Sequence, residues 1–178
     1  MQRSVRLLAT FSPFLFIVIL LLVPILVSQR AQAGAPPLEG CENREHQPIP
    51  TVYEPDLRTF AKVEIIKEGD KQRYEIQVNP TYYYLSRESQ QWLYLRQCAN
   101  IHLDHQAMRF QSARPNLREE RAADCWAIKH MSENKQFHFS ERTVRTIERD
   151  LERMNAEQWE QVFGGPRRRT DLSRCFYE

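Results

Sequence analysis

Nowhere among the 178 residues do two cysteines stand as Cys-x-x-Cys, which excludes a structural zinc knuckle and a thioredoxin-like redox site. A basic excess is missing as well once the amino terminus is set aside. The first thirty-three residues hold three of the twenty-five Lys and Arg and none of the twenty-three Asp and Glu, so the remainder is close to neutral. That balance argues against a general nucleic-acid binder, which concentrates positive charge on one face. The one basic cluster, Arg167-Arg168-Arg169, reads as a solvated tail rather than a phosphate site. No internal repeat is evident.

What is present begins with the three-part pattern of an export signal. Arg3 and Arg6 open it, an apolar stretch runs from Phe11 to Val27, and Ala31-Gln32-Ala33 places small residues where a signal peptidase cuts, leaving Gly34 as the new terminus. An uncleaved membrane anchor is the alternative, because about seventeen to twenty apolar residues approach the thickness of the hydrocarbon layer. The polar Ser28-Gln29-Arg30 spacer and the Ala-x-Ala favour cleavage. The membrane is a partner only if this segment is retained.

Residues 34–178 are enough for one domain with its own core. The expected location is extracytoplasmic, periplasmic or secreted, and there four cysteines, Cys41, Cys98, Cys125 and Cys175, imply two bridges. Three pairings are possible, and spacing alone does not choose among them.

Residues 34–60, rich in proline, read as an extended arm that need not form secondary structure. Ala61 to Lys67 and Arg73 to Asn79 alternate in polarity around Glu68-Gly69-Asp70, which predicts a β-hairpin. The aromatic run Tyr82-Tyr83-Tyr84 reads as packing. Ser86 caps a predicted helix to about His105, with Trp92, Leu95, Ala99 and Leu103 at steps of three or four. Gln106 to Pro115 reads as a loop. Asn116 caps a second helix, Leu117 to about Met131, with Ala123, Trp126, Ala127 and His130 on its packing side. Ser140 caps a third, carrying the stripe Val144, Ile147, Leu151 and Met154. Gly164-Gly165-Pro166 is expected to end the regular structure, leaving 164–178 as a tail. The fold class is therefore α+β: a small single domain, 61–163, with the hairpin packed beside a helical group.

Two segments carry chemistry: Leu95-Arg96-Gln97-Cys98-Ala99-Asn100-Ile101-His102-Leu103-Asp104-His105, and Glu119-Glu120-Arg121-Ala122-Ala123-Asp124-Cys125-Trp126-Ala127. Over roughly 61–127 the chain resembles small exported gluzincin-type zinc metallopeptidases, in which a helix bearing His-Glu-x-x-His is followed by one bearing Glu-x-x-Ala-Asp. In that family two histidines four apart and a glutamate from the next helix hold zinc, and the glutamate of the first motif polarises water. Glu120 aligns with the ligand glutamate, and Ala123-Asp124 follows at the family's interval. Arg96, Gln97 and Asn100 stand where the first histidine, the catalytic glutamate and the second histidine belong.

A guanidinium has no lone pair to give a metal, and glutamine takes up no proton as a carboxylate does. The resemblance thus implies a zincin-like framework with a vestigial site, Arg96, Gln97, Asn100, Glu120 and Asp124, no catalytic residue, no metal and no other cofactor. The expected role is a binding, scaffold or regulatory module for an unidentified protein or peptide partner. A filled site favours a scaffold, and a retained cleft favours binding.

Arg96 is expected to replace the metal electrostatically by pairing with Glu120 and Asp124. One alternative is an active metal-dependent hydrolase with ligands His102, His105 and Glu120, since histidines three apart share a helix face. A structural envelope component is another. A Cys98 nucleophile assisted by His102 requires a free thiol. In the family framework Cys98 and Cys125 lie on facing helices, which implies the pairs Cys98 with Cys125 and Cys41 with Cys175.

Overall fold

The structure is a computed structural model, and it describes residues 38, 40–82, 84–105, 116–134, 138–163 and 167–177. The expected leader, Tyr83, residues 106–115, where a loop is expected, and Gly164-Gly165-Pro166 lie outside the described residues.

The two alternating segments pair antiparallel as β2 (Ala61–Glu68) and β3 (Lys71–Val78), in register from Ala61 opposite Val78 to Glu68 opposite Lys71. Gly69 turns the chain at a φ of 64°, a conformation that glycine adopts without a Cβ clash. Val63 faces Ile76 and Ile65 faces Tyr74, so period-two alternation puts one apolar row toward the core. Proline-rich residues ahead of the hairpin contribute a strand after all. β1 (Thr51–Tyr53) adds to β3 in parallel, giving the order β1-β3-β2, and the Thr51 hydroxyl meets the Tyr94 hydroxyl at 2.8 Å.

α1 (Arg87–His102) lies under this sheet, with α2 (Leu117–Glu133) and α3 (Glu141–Arg153) against its other sides. Every residue from Gln91 to Ile101 is buried. A helix covered on all sides needs no apolar stripe, which is why the three-and-four spacing describes only part of it. The Ser86 hydroxyl accepts the Ser89 N–H, and Asp150 on α3 accepts both the Ser86 N–H at 2.9 Å and the Ser89 hydroxyl at 2.7 Å. The helix stops at His102 because the chain turns left-handed at Asp104 (φ 59°), two residues on, short of the predicted His105.

Asn116 caps α2 through the Arg118 N–H. Its buried side is Glu120, Ala123, Asp124, Ala127, Ile128 and Met131, whereas Trp126 and His130 lie at its half-buried margin. Ser140 and Thr143 form a capping box on α3, whose Val144, Ile147 and Leu151 are buried, as is Met154 just beyond it. Asn155 and Gln158 exchange a reciprocal cap that starts α4 (Ala156–Phe163), burying Trp159 and Val162. The tail then folds again: α5 (Leu172–Tyr177) buries Leu172, and Ser173 bonds Glu148 of α3. The described residues thus form a small α+β domain, with three strands and five helices among them and two disulfides. All described residues belong to one compact unit, Pro37–Glu178.

The bridges differ from the pairing the resemblance implied. Cys41 joins Cys98, and Cys125 joins Cys175. Helix geometry explains the correction. Arg96 points at α2, and a residue two positions further on is turned by about 200°, so Cys98 faces away from α2 and toward the arm. Cys125, next to Asp124, is then left for the tail. No cysteine is free, so a Cys98 nucleophile is ruled out in this structure.

Candidate functional site: a buried guanidinium–carboxylate cluster

α1 and α2 bring together three of the five residues expected to form a vestigial site. Arg96 Nε donates to Asp124 Oδ1 at 2.7 Å, and Arg96 Nη2 donates to Glu120 Oε2. The Arg96 and Asp124 side chains are only 2% and 4% exposed, and that of Glu120 only 9%. Such burial is tolerable because each charge finds a hydrogen-bonded opposite. Glu120 and Asp124 are four apart on one helix and therefore share a face, so one forked guanidinium reaches both.

A second guanidinium completes the arrangement. Arg168 Nη2 donates to Asp124 Oδ2 at 2.7 Å and approaches Glu120 Oε2 at 3.4 Å. Arg168 thus departs from the solvated tail expected of the Arg167-Arg168-Arg169 run, although Arg167 and Arg169 are exposed. Among the described residues two formal positive charges now stand against two negative ones. Aromatic rings close the inner side: Arg96 lies 5.1 Å from the centroid of Phe163, which stacks on Trp159 at 4.3 Å and leans on Trp92 at 6.2 Å. The Trp92 indole N–H is directed at the Asp124 carbonyl, 3.5 Å away.

Gln97 and Asn100, the other two residues expected at that site, turn elsewhere. Asn100 Nδ2 donates to Gln97 Oε1 at 3.2 Å, and Asn100 Oδ1 accepts from His105 Nδ1 at 3.3 Å. Asn100 and His105 thereby tie the end of α1 to the turn that follows it. His102 leans on Trp126 at 5.3 Å, and His130 stacks on the same Trp126 at 4.6 Å. His102, His105 and Glu120 accordingly do not converge. Among the described residues no three His, Cys, Asp or Glu side chains are placed to hold a metal ion.

The donor set does not suit zinc. Arginine offers no lone pair, the amides of Gln97 and Asn100 are engaged with each other, and both carboxylates already accept from guanidinium groups. The five side chains Arg96, Gln97, Asn100, Glu120 and Asp124 are packed in, all at most 8% exposed. Sequence reasoning missed Arg168 and Phe163. The cue for Arg168 was its place between Gly-Gly-Pro and Cys175, which becomes informative only once Cys175 is known to return to α2.

Compared with protein-family models, curated proteins and solved structures, the chain matches none of them.

Proposed function

We propose that the chain is an extracytoplasmic, non-catalytic protein built on a metallopeptidase-like framework, in which paired guanidinium and carboxylate groups occupy the position of the family's metal. The observation that carries this reading is Arg96, aligned with the first metal-binding histidine, bonded to Glu120, aligned with the ligand glutamate. Neighbouring helices that present those two positions to each other are what a zinc site of this kind requires.

Among the non-catalytic roles, a scaffold is favoured over a ligand receptor at this site because the side chains fill it. An oxidising compartment is supported by the two disulfides and by the export-like leader. Among the described residues no helix is long and apolar enough to cross a membrane. The test is metal analysis of the purified protein together with hydrolysis of a mixed peptide substrate, with and without added zinc. Absence of stoichiometric metal and of turnover is expected, whereas one zinc per chain with chelator-sensitive hydrolysis would refute the proposal.

A further inference from the structure

Arg96 and Arg168 reach the same two carboxylates but are held differently. Arg96 is rooted in the central helix and its side chain is 2% exposed. Arg168 enters from the tail, is 20% exposed, and touches the carboxylates through Nη2 alone. Remove Arg168 and, among the described residues of the cluster, Arg96, Glu120 and Asp124 carry one net negative charge, with Asp124 Oδ2 deprived of the guanidinium it accepts from. Beside the tail a groove of about 560 Å³ runs along Leu151 and Trp159.

The tail is held to α2 by Cys125–Cys175, one residue from Asp124, and both of these cysteines are half-buried. Cys41 and Cys98 are 4% and 0% exposed. Thiol–disulfide exchange requires access to sulfur, so a soluble dithiol reaches the tail bridge first. One of its thiolates attacks a sulfur of Cys125–Cys175 and releases the other as a thiol. Its second thiol then resolves the mixed disulfide, so the dithiol is oxidised as both cysteines are reduced.

From these relationships we infer that Glu120, Asp124 and Arg96 form a socket for one guanidinium group, that Arg168 is its built-in occupant, and that Cys125–Cys175 keeps the occupant seated. With the bridge closed the tail competes at the high local concentration of a tethered ligand. With the bridge open an arginine side chain of a partner protein can take its place. A lysine fits poorly, because a compact ammonium lacks the planar fork that spans two carboxylates. The inference shares its carboxylates with the proposed function but requires only a guanidinium site, so its failure would leave the metal and hydrolysis results untouched.

The test uses the purified protein, oxidised or treated with limiting dithiothreitol, with thiols trapped and mapped by mass spectrometry. N-acetyl-arginine amide and its lysine counterpart are then titrated, with tryptophan fluorescence as the readout, because Trp159 lines the groove and Trp92 contacts Asp124. Expected are labelling of Cys125 and Cys175 before Cys41 and Cys98, and binding of the arginine probe about tenfold or more tighter after opening. The lysine probe should bind far less, and D124N should abolish the gain. Arg168→Ala, which vacates the socket with the bridge intact, should show the same preference for arginine and keeps the question answerable if the opened protein unfolds. Labelling of Cys41 and Cys98 first would overturn the inference. So would equal affinity for the two probes, or no gain in either the opened protein or the Arg168→Ala variant.

Discussion

Arg96 and Asp124 meet at 2.7 Å across the interface of α1 and α2, each almost wholly shielded from water. A buried ion pair adds little net stability over an apolar pair of similar volume, yet losing one partner strands the other charge. Arg96→Ala should therefore cost about 3 to 5 kcal/mol, because it leaves two buried carboxylates to one guanidinium. Arg96→Lys should recover only part of that loss, since an ammonium lacks the planar two-carboxylate fork. Urea midpoints for wild type, Arg96→Ala and Arg96→Lys check the order.

Arg168 is more exposed and bound through one nitrogen, so its loss should be milder. Arg168→Ala is expected to cost about 1.5 to 3 kcal/mol, the range for hydrogen bonds to charged groups. Combined with Arg96→Ala its effect should be non-additive, because both side chains act on the same carboxylates. Additive costs in a double-mutant cycle would mean that the two arginines act independently.

Peptide mapping without reduction should recover Cys41 linked to Cys98 and Cys125 linked to Cys175. Removing either bridge by paired Cys→Ser substitution should cost about 2 to 4 kcal/mol. A Cys98–Cys125 peptide would contradict the packing of α1 against α2 described above.

Much of this fold was legible in the sequence, and what escaped has a physical reason. Ser86, Asn116 and Ser140 act at the starts of their helices, and the hairpin follows from alternation around Gly69, because these signals are local. The meeting of Arg96 with Glu120 and Asp124 was also foreseeable, since charges that must be buried seek opposites. The bridges were not, and the expectation held a hidden conflict. Arg96 and Cys98 are two residues apart and cannot both face α2. β1, the separate α4 and the terminal α5 are three, eight and six residues long and owe their form to tertiary contacts that no local pattern announces. Arg168 owes its half-buried place to the return of the tail to α2, where Cys125–Cys175 joins residues fifty apart and Leu172 is buried, and no local pattern announces that return.

The junction of α1 and α3 gives a dependence on pH. Burial of Asp150 pushes its pKa up, but hydrogen bonds from Ser86 and Ser89, with the nearby Arg153, outweigh burial and hold it below the ordinary value of 3.8. The folded form therefore favours the carboxylate. The stability it contributes is fully present above the unfolded value and is lost as pH falls through the lower folded one. Asp150→Asn should lower the urea midpoint at neutral pH and flatten its decline in acid. A variant that tracks wild type at every pH would show that this cap is inert.

The central proposal is that α1 and α2 form a metallopeptidase-like framework in which Arg96, Gln97 and Asn100 stand in the places of the family's ligands and catalytic glutamate. Restoring those ligands tests it most directly. The variant R96H/Q97E/N100H/R168A, with Glu120 intact, should bind one cobalt(II) ion per chain with the visible spectrum of a tetrahedral site, while wild type binds none. A variant whose circular dichroism remains that of the folded protein, yet which takes up no cobalt, would contradict the account.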